Sequence, residues 1–569
     1  MIETNNITLS SQYNLFWSNA ISSTLQQLGA EYICISPGAR NTPLTLAFTQ
    51  NDAFTCYSHI DERSSGFFAL GLAKSTQKPV VLISTSGTAV ANYFPAVIEA
   101  SLSRTPLIIL SADRPSQLVG TGANQTINQT KIFGNHVRHY IDIGLPQQDA
   151  YLLIKNLTKI YAHASGFGDI PPGPTHINVP FDEPLVSKEQ MSVDFPKHDL
   201  VVEEYKIIQD VYSLPQFEKP LIVCGRLDNF DCQNSILKFA NSIQALIFAD
   251  PTSQIRFGKK SDLIVTNYDQ FLKTKNIHPD IVIRFGSKPT SKTLCALLDQ
   301  WKKMTVLVDQ YNGDNDDCPL VVQSNVKSFC ESNILQAKRN TSVFTQRIQQ
   351  YERIITSVLR SSDDMLTLFD GSVALACFES LSSGDNFFVG NSMPIRDVDT
   401  FTVNSEKNIH VFSNRGASGI DGIISTAMGV AINSKQNNLL LVGDLSFLHD
   451  IGSLLFSSRY NVNLTIVVIN NNGGGIFSFL PLKKDSPEFD EFWTTQHKLD
   501  FGHASALYGC QYTLVDSLVG LTKVLSASRE VTGIKIIEVK TDIKLNVKTH
   551  TEICSRIKLD LEKESINEK

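Results

Sequence analysis

The sequence lacks the features that mark a secreted, membrane-spanning or nucleic-acid-binding chain. No window approaches the run of about eighteen apolar residues that a membrane span needs. The opening stretch, MIETNNITLSSQYN, has neither a basic nor an apolar segment, so no secretory signal is expected. The ten Cys form no C-x-x-C, and most, such as Cys34 and Cys224, sit inside apolar runs. They read as reduced core residues of a cytoplasmic protein, not as disulfides or zinc ligands. Basic residues are not in excess: the net charge of −7 gives no reason to expect nucleic acid or an anionic membrane as partner. The ordinary phosphate-binding signatures are also missing. Gly258-Lys259-Lys260-Ser261 lacks the earlier Gly of a P-loop, and Gly120-Thr121-Gly122 runs into Ala123-Asn124-Gln125 without completing G-x-G-x-x-G.

A chain of 569 residues is too long for one core, and its length predicts about three or four domains. Short β-branched runs alternate with helix-length segments along nearly the whole chain. That pattern predicts an α/β protein of three consecutive domains with mainly parallel sheets flanked by helices. The first group of runs is YICIS (32–36), TCYSHI (55–60), VVLISTS (80–86) and PLIILSA (106–112). The second is PLIVCGR (220–226), ALIFADP (245–251), DIVIRFG (280–286) and TVLVDQ (305–310). The third is NFFVGNS (386–392), IHVFSN (409–414), LLLVGD (439–444), LTIVVIN (464–470) and IKIIEVK (534–540). Patternless stretches at 183–199 and near Ser328–Thr345 place the domains at 1–190, 200–335 and 345–569.

The unusual residues stand at strand ends, where open α/β sheets bind ligands. LLLVGD ends at Asp444 and LTIVVIN at Asn470, with a helical segment of roughly Phe447–Arg459 between them. A βαβ unit of about thirty residues makes the two strands parallel, so Asp444 and the 470–472 Asn run converge on one edge. A carboxylate with amide and backbone carbonyl oxygens is an oxygen-only set suited to Mg2+. Gly473, Gly474 and Gly475 let the backbone approach a diphosphate closely. The plainer reading is a surface Asp and a Gly-rich turn. In the first domain TCYSHI leads into Asp61-Glu62-Arg63 and a helix. An acidic pair there is ordinarily favourable charge at a helix N-terminus.

Longer stretches carry a resemblance. SPGARNTPL (36–44), SHIDERSSGFFALGLAK (58–74), TSGTAVANYFPAVIEA (85–100), SADRP (111–115), GANQTINQ (122–129), GNSMPIRD (390–397), SNRGASGIDG (413–422), GDLSFLHD (443–450) and NNNGGGIFSFLP (470–481) are the residues concerned. They resemble the 2-succinyl-5-enolpyruvyl-6-hydroxy-3-cyclohexene-1-carboxylate synthases of menaquinone biosynthesis, a family of the thiamine-diphosphate enzyme superfamily. The resemblance implies pyrimidine-binding, middle and diphosphate-binding domains in that order. It implies a homodimer or homotetramer with active sites between subunits. It also implies decarboxylation of 2-oxoglutarate and 1,4-addition of the succinyl-semialdehyde unit to isochorismate, with thiamine diphosphate and Mg2+, or Mn2+ in its place, as cofactors.

Carried over residue by residue, the resemblance makes Glu62 the catalytic carboxylate that bonds the pyrimidine ring. Asp444, Asn471 and the Gly473 carbonyl become the metal ligands, and Ile420 props the cofactor in its bent form. Leu445, Ser446, Gly474, Ile476, Phe477 and Ser392 complete the cofactor-binding expectation. Two dicarboxylate substrates call for local cations, and Arg is suited to planar carboxylates. Arg40, Arg114, Arg396 and Arg415 lie just past strand ends, with Lys292, or Lys288 instead, in the middle domain. Gln125, Asn391 and Ser392 are expected at the same substrate site, with Ile476, Phe477 and Leu480 as its apolar wall. Two departures stand out: Leu445 replaces the Gly of the wider Gly-Asp-Gly motif, and Ala39 replaces the family's usual Ser. The competing readings are an acetolactate-synthase-like carboligase acting on other 2-oxo acids and a non-catalytic α/β nucleotide-binding protein, which has no use for Glu62.

Overall fold

The structure is a computed structural model that describes residues 2–186, 212–228, 231–335, 342–482, 484 and 486–567. Of the expected boundary stretches, residues 187–199 and 336–341 lie outside the described residues. Three six-stranded sheets, parallel throughout, account for the strands. The first contains β1 (Tyr32–Ile35), β2 (Thr55–Ser58), β3 (Val80–Ser84), β4 (Leu107–Asp113), β5 (His139–Asp142) and β6 (Pro174–Pro180). The second contains β7 (Pro220–Cys224), β8 (Leu246–Ala249), β9 (Ile264–Val265), β10 (Ile281–Phe285), β11 (Thr305–Val308) and β12 (Val321–Val322). The third contains β13 (Asn386–Val389), β14 (His410–Phe412), β15 (Asn438–Gly443), β16 (Leu464–Asn470), β17 (Gln511–Val515) and β18 (Ile534–Lys540).

The first sheet has the order β2-β1-β3-β4-β6-β5 and the third β14-β13-β15-β16-β18-β17, so the two share one topology that no sequence repeat announces. The middle sheet, β12-β11-β10-β7-β8-β9, has instead the doubly wound dinucleotide-fold order. In the outer sheets the order reverses between the first and third strands, the crevice where such sheets bind ligands. No described helix is long and apolar enough to cross a membrane.

Five strands carry no sequence signal of the kind used above. β9 and β12 are two-residue edge pieces, and β5 and β17 are edge strands with half-exposed or exposed polar residues. β6 is wholly buried but reads PTHINVP, because its polar side chains are spent on internal bonds. His176 Nε2 lies 2.7 Å from Ser111 Oγ, and Asn178 Nδ2 donates to Asp113 at 2.8 Å and Asp142 at 3.0 Å. The helix expected over Phe447–Arg459 is a short α-helix, Asp444–His449, followed by a 3-10 stretch, Ile451–Ser458. The change falls where Gly452 weakens α-helical propensity.

The chain divides into two compact units. One holds the first sheet with segments 414–433 and 452–456. Within it, helix Glu62–Thr76 packs on helix Ile423–Ala431 so closely that a Cβ on Gly71 would stand 2.0 Å from the Thr426 carbonyl oxygen. A Cβ on Gly429 would stand 2.1 Å from that of Phe68. The other unit holds the second and third sheets. Helices Val343–Ser361 and Ile543–Asn567 share one of its apolar clusters through Ile348, Ile355, Ile553, Ile557 and Leu561. Arg256, fully buried in the same unit, donates to Asp399 at 2.7 Å.

His176 supplies a pH test of this core. Burial pushes its imidazole down to about 3, so it is neutral in the fold. The unfolded chain binds the proton first as pH falls below about 6.5. The stability contribution of the neutral ring is therefore complete above that value and is lost as pH falls toward 3. Urea unfolding is expected to lose about 2 kcal/mol more between pH 7 and pH 5 in the wild type than in His176→Gln. Equal losses would contradict a neutral buried ring.

Candidate functional site

In the second unit, β15 and β16 pair in register up to Gly443 opposite Ile469, which sets Asp444 beside the end of β16. Asp444 is buried; Oδ2 accepts the Gly473 N–H at 2.8 Å and Oδ1 the Leu445 N–H at 2.7 Å. His497, which sequence reasoning missed, lies with Nε2 3.2 Å from Asp444 Oδ2. Its Nδ1 accepts the Leu499 N–H at 3.1 Å, so Nε2 carries the proton and donates to the carboxylate. Burial pushes the Asp444 carboxyl up, and these hydrogen bonds oppose the shift.

The three consecutive Asn residues have separate duties. Asn470 donates to Glu538 at 2.8 Å and accepts the Asn472 N–H at 3.0 Å. Asn472, at φ 64°, accepts the Lys498 N–H at 2.7 Å. Asn471 donates to Asp370 at 3.1 Å, while its Oδ1 is buried with no hydrogen-bond partner. An orphaned acceptor next to a buried carboxylate is costly in a finished protein core and suits a cation. Gly473, at φ 144°, passes so close to Thr494 that a Cβ would meet its carbonyl oxygen at 2.2 Å. The Gly473 carbonyl accepts from the Gly475 N–H at 2.9 Å, which leaves one lone pair. Among the described residues no group of three or more His, Cys, Asp or Glu could hold a metal. The donor set here has one carboxylate, one amide and one carbonyl, and it fits Mg2+ completed by ligand phosphate.

A cavity of about 560 Å³ in the same unit brings together Lys292, Arg396, Ile476 and Leu480. Arg396 sits on helix Met393–Phe401 and donates to the Ser392 carbonyl. Ser392 takes φ 70° at the helix start, next to buried Asn391. Lys292 is the first residue of helix Lys292–Gln300. Lys288 does not line this cavity; it is held by Asp317 at 3.0 Å and Asp299 at 3.7 Å. Phe477 also lies off the cavity, its ring under Gly474, and Phe479 lines the wall. Ser446 is buried and Leu445 half-buried at the start of the helix after β15.

In the first unit, Glu62 opens helix Glu62–Thr76, and Asp61 caps it by accepting the Arg63 N–H at 2.9 Å. Glu62 is half-buried, and burial, followed by the charge of Asp61, pushes its carboxyl up. Past the ends of β1, β3 and β4, Arg40 donates to the Phe181 carbonyl at 2.9 Å and pairs with Glu183 at 2.7 Å. Arg114 donates to Ser86 Oγ at 2.7 Å, and Gln125 donates to the Ser86 carbonyl at 3.3 Å. Burial, then the neighbouring positive charge of Arg40, lower Arg114, and the carboxylates of Glu183 and Asp113 oppose the shift. Ala39 is exposed, and its carbonyl accepts the Thr42 N–H at 3.1 Å.

Arg415 and Ile420 lie on the segment packed against helices Glu62–Thr76 and Phe94–Leu102. Buried Glu99 accepts the Gly416 N–H at 2.9 Å and the Ala417 N–H at 2.6 Å, with Lys74 3.6 Å away. Lys74 also donates to Asn414 at 3.1 Å. Ile420 is 38% exposed. The sequence signal for Glu99 was a lone acid inside an otherwise apolar helix.

The description "Thiamine pyrophosphate enzyme, N-terminal TPP binding domain" matches residues 17–132, and its C-terminal TPP binding counterpart matches 398–539. The chain is 39% identical to the 2-succinyl-5-enolpyruvyl-6-hydroxy-3-cyclohexene-1-carboxylate synthase of Bacillus velezensis, covering 93% of this chain and 95% of the relative. Identity to the enzyme of the same name from Geobacillus thermodenitrificans is 36%, with 95% of each chain covered. The one from Roseiflexus sp. is 35% identical over 94% of this chain and 96% of the relative.

The chain belongs to the 2-succinyl-5-enolpyruvyl-6-hydroxy-3-cyclohexene-1-carboxylate synthase family. It is thus a thiamine-diphosphate-dependent enzyme of menaquinone biosynthesis. The crystal structure of benzoylformate decarboxylase from Polynucleobacter necessarius superposes with a TM-score of 0.69 at 16% identity, over 92% of this chain and 98% of that one, a likeness of fold alone. In this family member the Glu99 clamp offers a stability test. Glu99→Ala strands two N–H groups and takes the paired carboxylate from half-buried Lys74, and is expected to cost about 3–5 kcal/mol in urea unfolding, with Glu99→Gln losing less. A loss under about 1 kcal/mol for Glu99→Ala would contradict the clamp.

Proposed function

We propose that the protein decarboxylates 2-oxoglutarate and adds the resulting four-carbon unit in 1,4 fashion to isochorismate, with Mg2+ as metal and Mn2+ able to replace it. The observation that carries this reading is the placement of Lys292 and Arg396 on one cavity with apolar Ile476 and Leu480. Cations beside an apolar wall suit a carboxylate on a carbon skeleton. Arg40, Arg114 and Gln125, gathered at the strand ends of the other unit, supply a second set of carboxylate-binding groups, with Arg415 as a further cation.

When bound, thiamine diphosphate supplies the nucleophilic carbon and the electron sink. Asp444, Asn471 and the Gly473 carbonyl would hold its metal, and Gly474, Ser446 and Leu445 would border the diphosphate. Glu62, raised by burial, would share a proton with the pyrimidine ring. Ile420 would support the cofactor, and Ser392 with Asn391 would orient substrate. The proposed boundaries are a pyrimidine-binding domain at 1–190, a middle domain at 200–335 and a diphosphate-binding domain at 345–569. The proposed assembly is a cytoplasmic homodimer or homotetramer with active sites between subunits.

The direct test is an assay with 2-oxoglutarate, with and without isochorismate, following CO2 and the coupled product. Faster turnover of pyruvate than of 2-oxoglutarate would instead mark a carboligase for small monoacids.

Two substitutions probe the roles. Glu62→Gln keeps shape but cannot share a proton. It is expected to retain cofactor affinity and to slow both turnover and hydrogen–deuterium exchange at C2 of the bound cofactor by about 10²- to 10⁴-fold. Native exchange in this variant would reduce Glu62 to a helix-start charge. Lys292→Ala is expected to lower kcat/KM for one substrate about tenfold to a hundredfold at unchanged cofactor affinity. Lys288→Ala, already tied to Asp317, should stay within about twofold of native by the same comparison. The reverse ranking would exchange the two assignments.

A further inference from the structure

We propose that Asp370 is a positioning residue that fixes the amide of Asn471 so that its oxygen, and not its nitrogen, faces the metal. The inference rests on the reading of Asn471 as a metal ligand. Asp370 opens helix Asp370–Ser380 and is 1% exposed. Its Oδ2 accepts Asn471 Nδ2 and Asn546 Nδ2, each at 3.1 Å, and its Oδ1 accepts Thr541 Oγ1 at 2.7 Å. The Asp370 N–H in turn donates to Asn546 Oδ1 at 3.2 Å, so Asn546 cannot rotate its amide without losing both bonds. Thr541 is itself held at the end of β16 by donating its N–H to the Asn470 carbonyl at 3.1 Å. The carboxylate therefore sits in a rigid frame built from two helix starts and the ends of β16 and β18.

An amide side chain has two nearly isosteric orientations, and only the electrostatics around it choose between them. Beside an acceptor-only carboxylate, Asn471 must present Nδ2. The flipped form would set Oδ1 against a carboxylate oxygen and point two N–H donors at the cation position. The orphaned Oδ1 of Asn471 is the counterpart of this choice. Neighbouring Asn470 also donates its amide nitrogen to a buried carboxylate, Glu538, but Asn470 and Asn472 both spend their amide oxygens on backbone N–H groups, whereas that of Asn471 stays open. Partners that orient a ligand in this way typically govern metal affinity about ten- to a hundredfold.

The test measures Mn2+ binding to the metal-free enzyme in the presence of thiamine diphosphate, through the electron paramagnetic resonance signal of free Mn2+. Circular dichroism checks the fold of each variant. Asp370→Asn is expected to weaken Mn2+ about ten- to a hundredfold. The exchanged pair Asp370→Asn/Asn471→Asp restores a donor–acceptor contact with its direction reversed and leaves an oxygen toward the metal. Because Asn471→Asp itself adds a charged ligand with no oxygen–nitrogen choice to make, the pair is compared with Asn471→Asp alone: it is expected to bind Mn2+ at least as tightly, whereas a merely structural Asp370 would weaken binding in that background too. If Asp370→Asn does not fold, the exchanged pair decides: folded with the affinity of Asn471→Asp supports the proposal, and folded with weaker binding overturns it. Asp444→Ala separates the two layers of the argument. Native Mn2+ affinity in Asp370→Asn alongside a loss in Asp444→Ala overturns the role of Asp370 only. Native affinity in both overturns the metal reading with it.

Discussion

The hydrogen bond from the Gly473 N–H to Asp444 joins the tips of two adjacent parallel strands, and the site in the second unit depends on it. β15 and β16 stay in register to their last residues, so the carboxylate and the Asn–Gly turn reach the same edge without searching for each other. The parallel sheet turns two distant sequence positions into neighbours, and the glycines remove the Cβ atoms that would otherwise strike the facing backbone. Buried charge is then tolerable because backbone N–H groups and the His497 donor meet it. The same device recurs in the first unit, where buried Glu99 takes two N–H groups from the 416–417 turn. In both places a carboxylate inside the protein fixes a loop more tightly than a surface ion pair could.

Close helix packing completes the first unit. Gly71 and Gly429 bring helices Glu62–Thr76 and Ile423–Ala431 to backbone contact, which locks the helix that begins with Glu62 to the segment that carries Arg415 and Ile420. A side chain at either glycine would push them apart. The placement of these candidate groups is thus a packing result before it is a chemical one.

Much of the frame was legible in the sequence because buried parallel strands are apolar runs. All thirteen runs named from composition become strands, trimmed by a few residues at their ends. The five unseen strands failed for physical reasons. Short edge pieces such as β9 need little apolar area, and β6 hides polar residues that only the tertiary hydrogen-bond network explains. The shared strand order of the outer sheets is a property of pairing, which the one-dimensional pattern does not carry. The strand-end residues of the site were visible as exceptions to the apolar pattern. Asp370 and His497 were not, because each matters through a contact made across more than fifty residues of chain, about the reach only a folded domain provides. Lys288 and Lys292 could not be separated by sequence, since both follow the same strand; the pairing of Lys288 with Asp317 separates them in space.

The account's central claim is that the tips of β15 and β16 hold the metal of a thiamine-diphosphate enzyme. Anomalous diffraction from crystals grown with thiamine diphosphate and Mn2+ tests it most directly. The expected result is one metal peak per chain, bonded to an Asp444 carboxylate oxygen, Asn471 Oδ1 and the Gly473 carbonyl at about 2.0–2.3 Å, with diphosphate oxygens completing an octahedral shell. Mn2+ bound elsewhere with the cofactor in place, or diphosphate bound at these strand ends with no metal between it and Asp444, would contradict it.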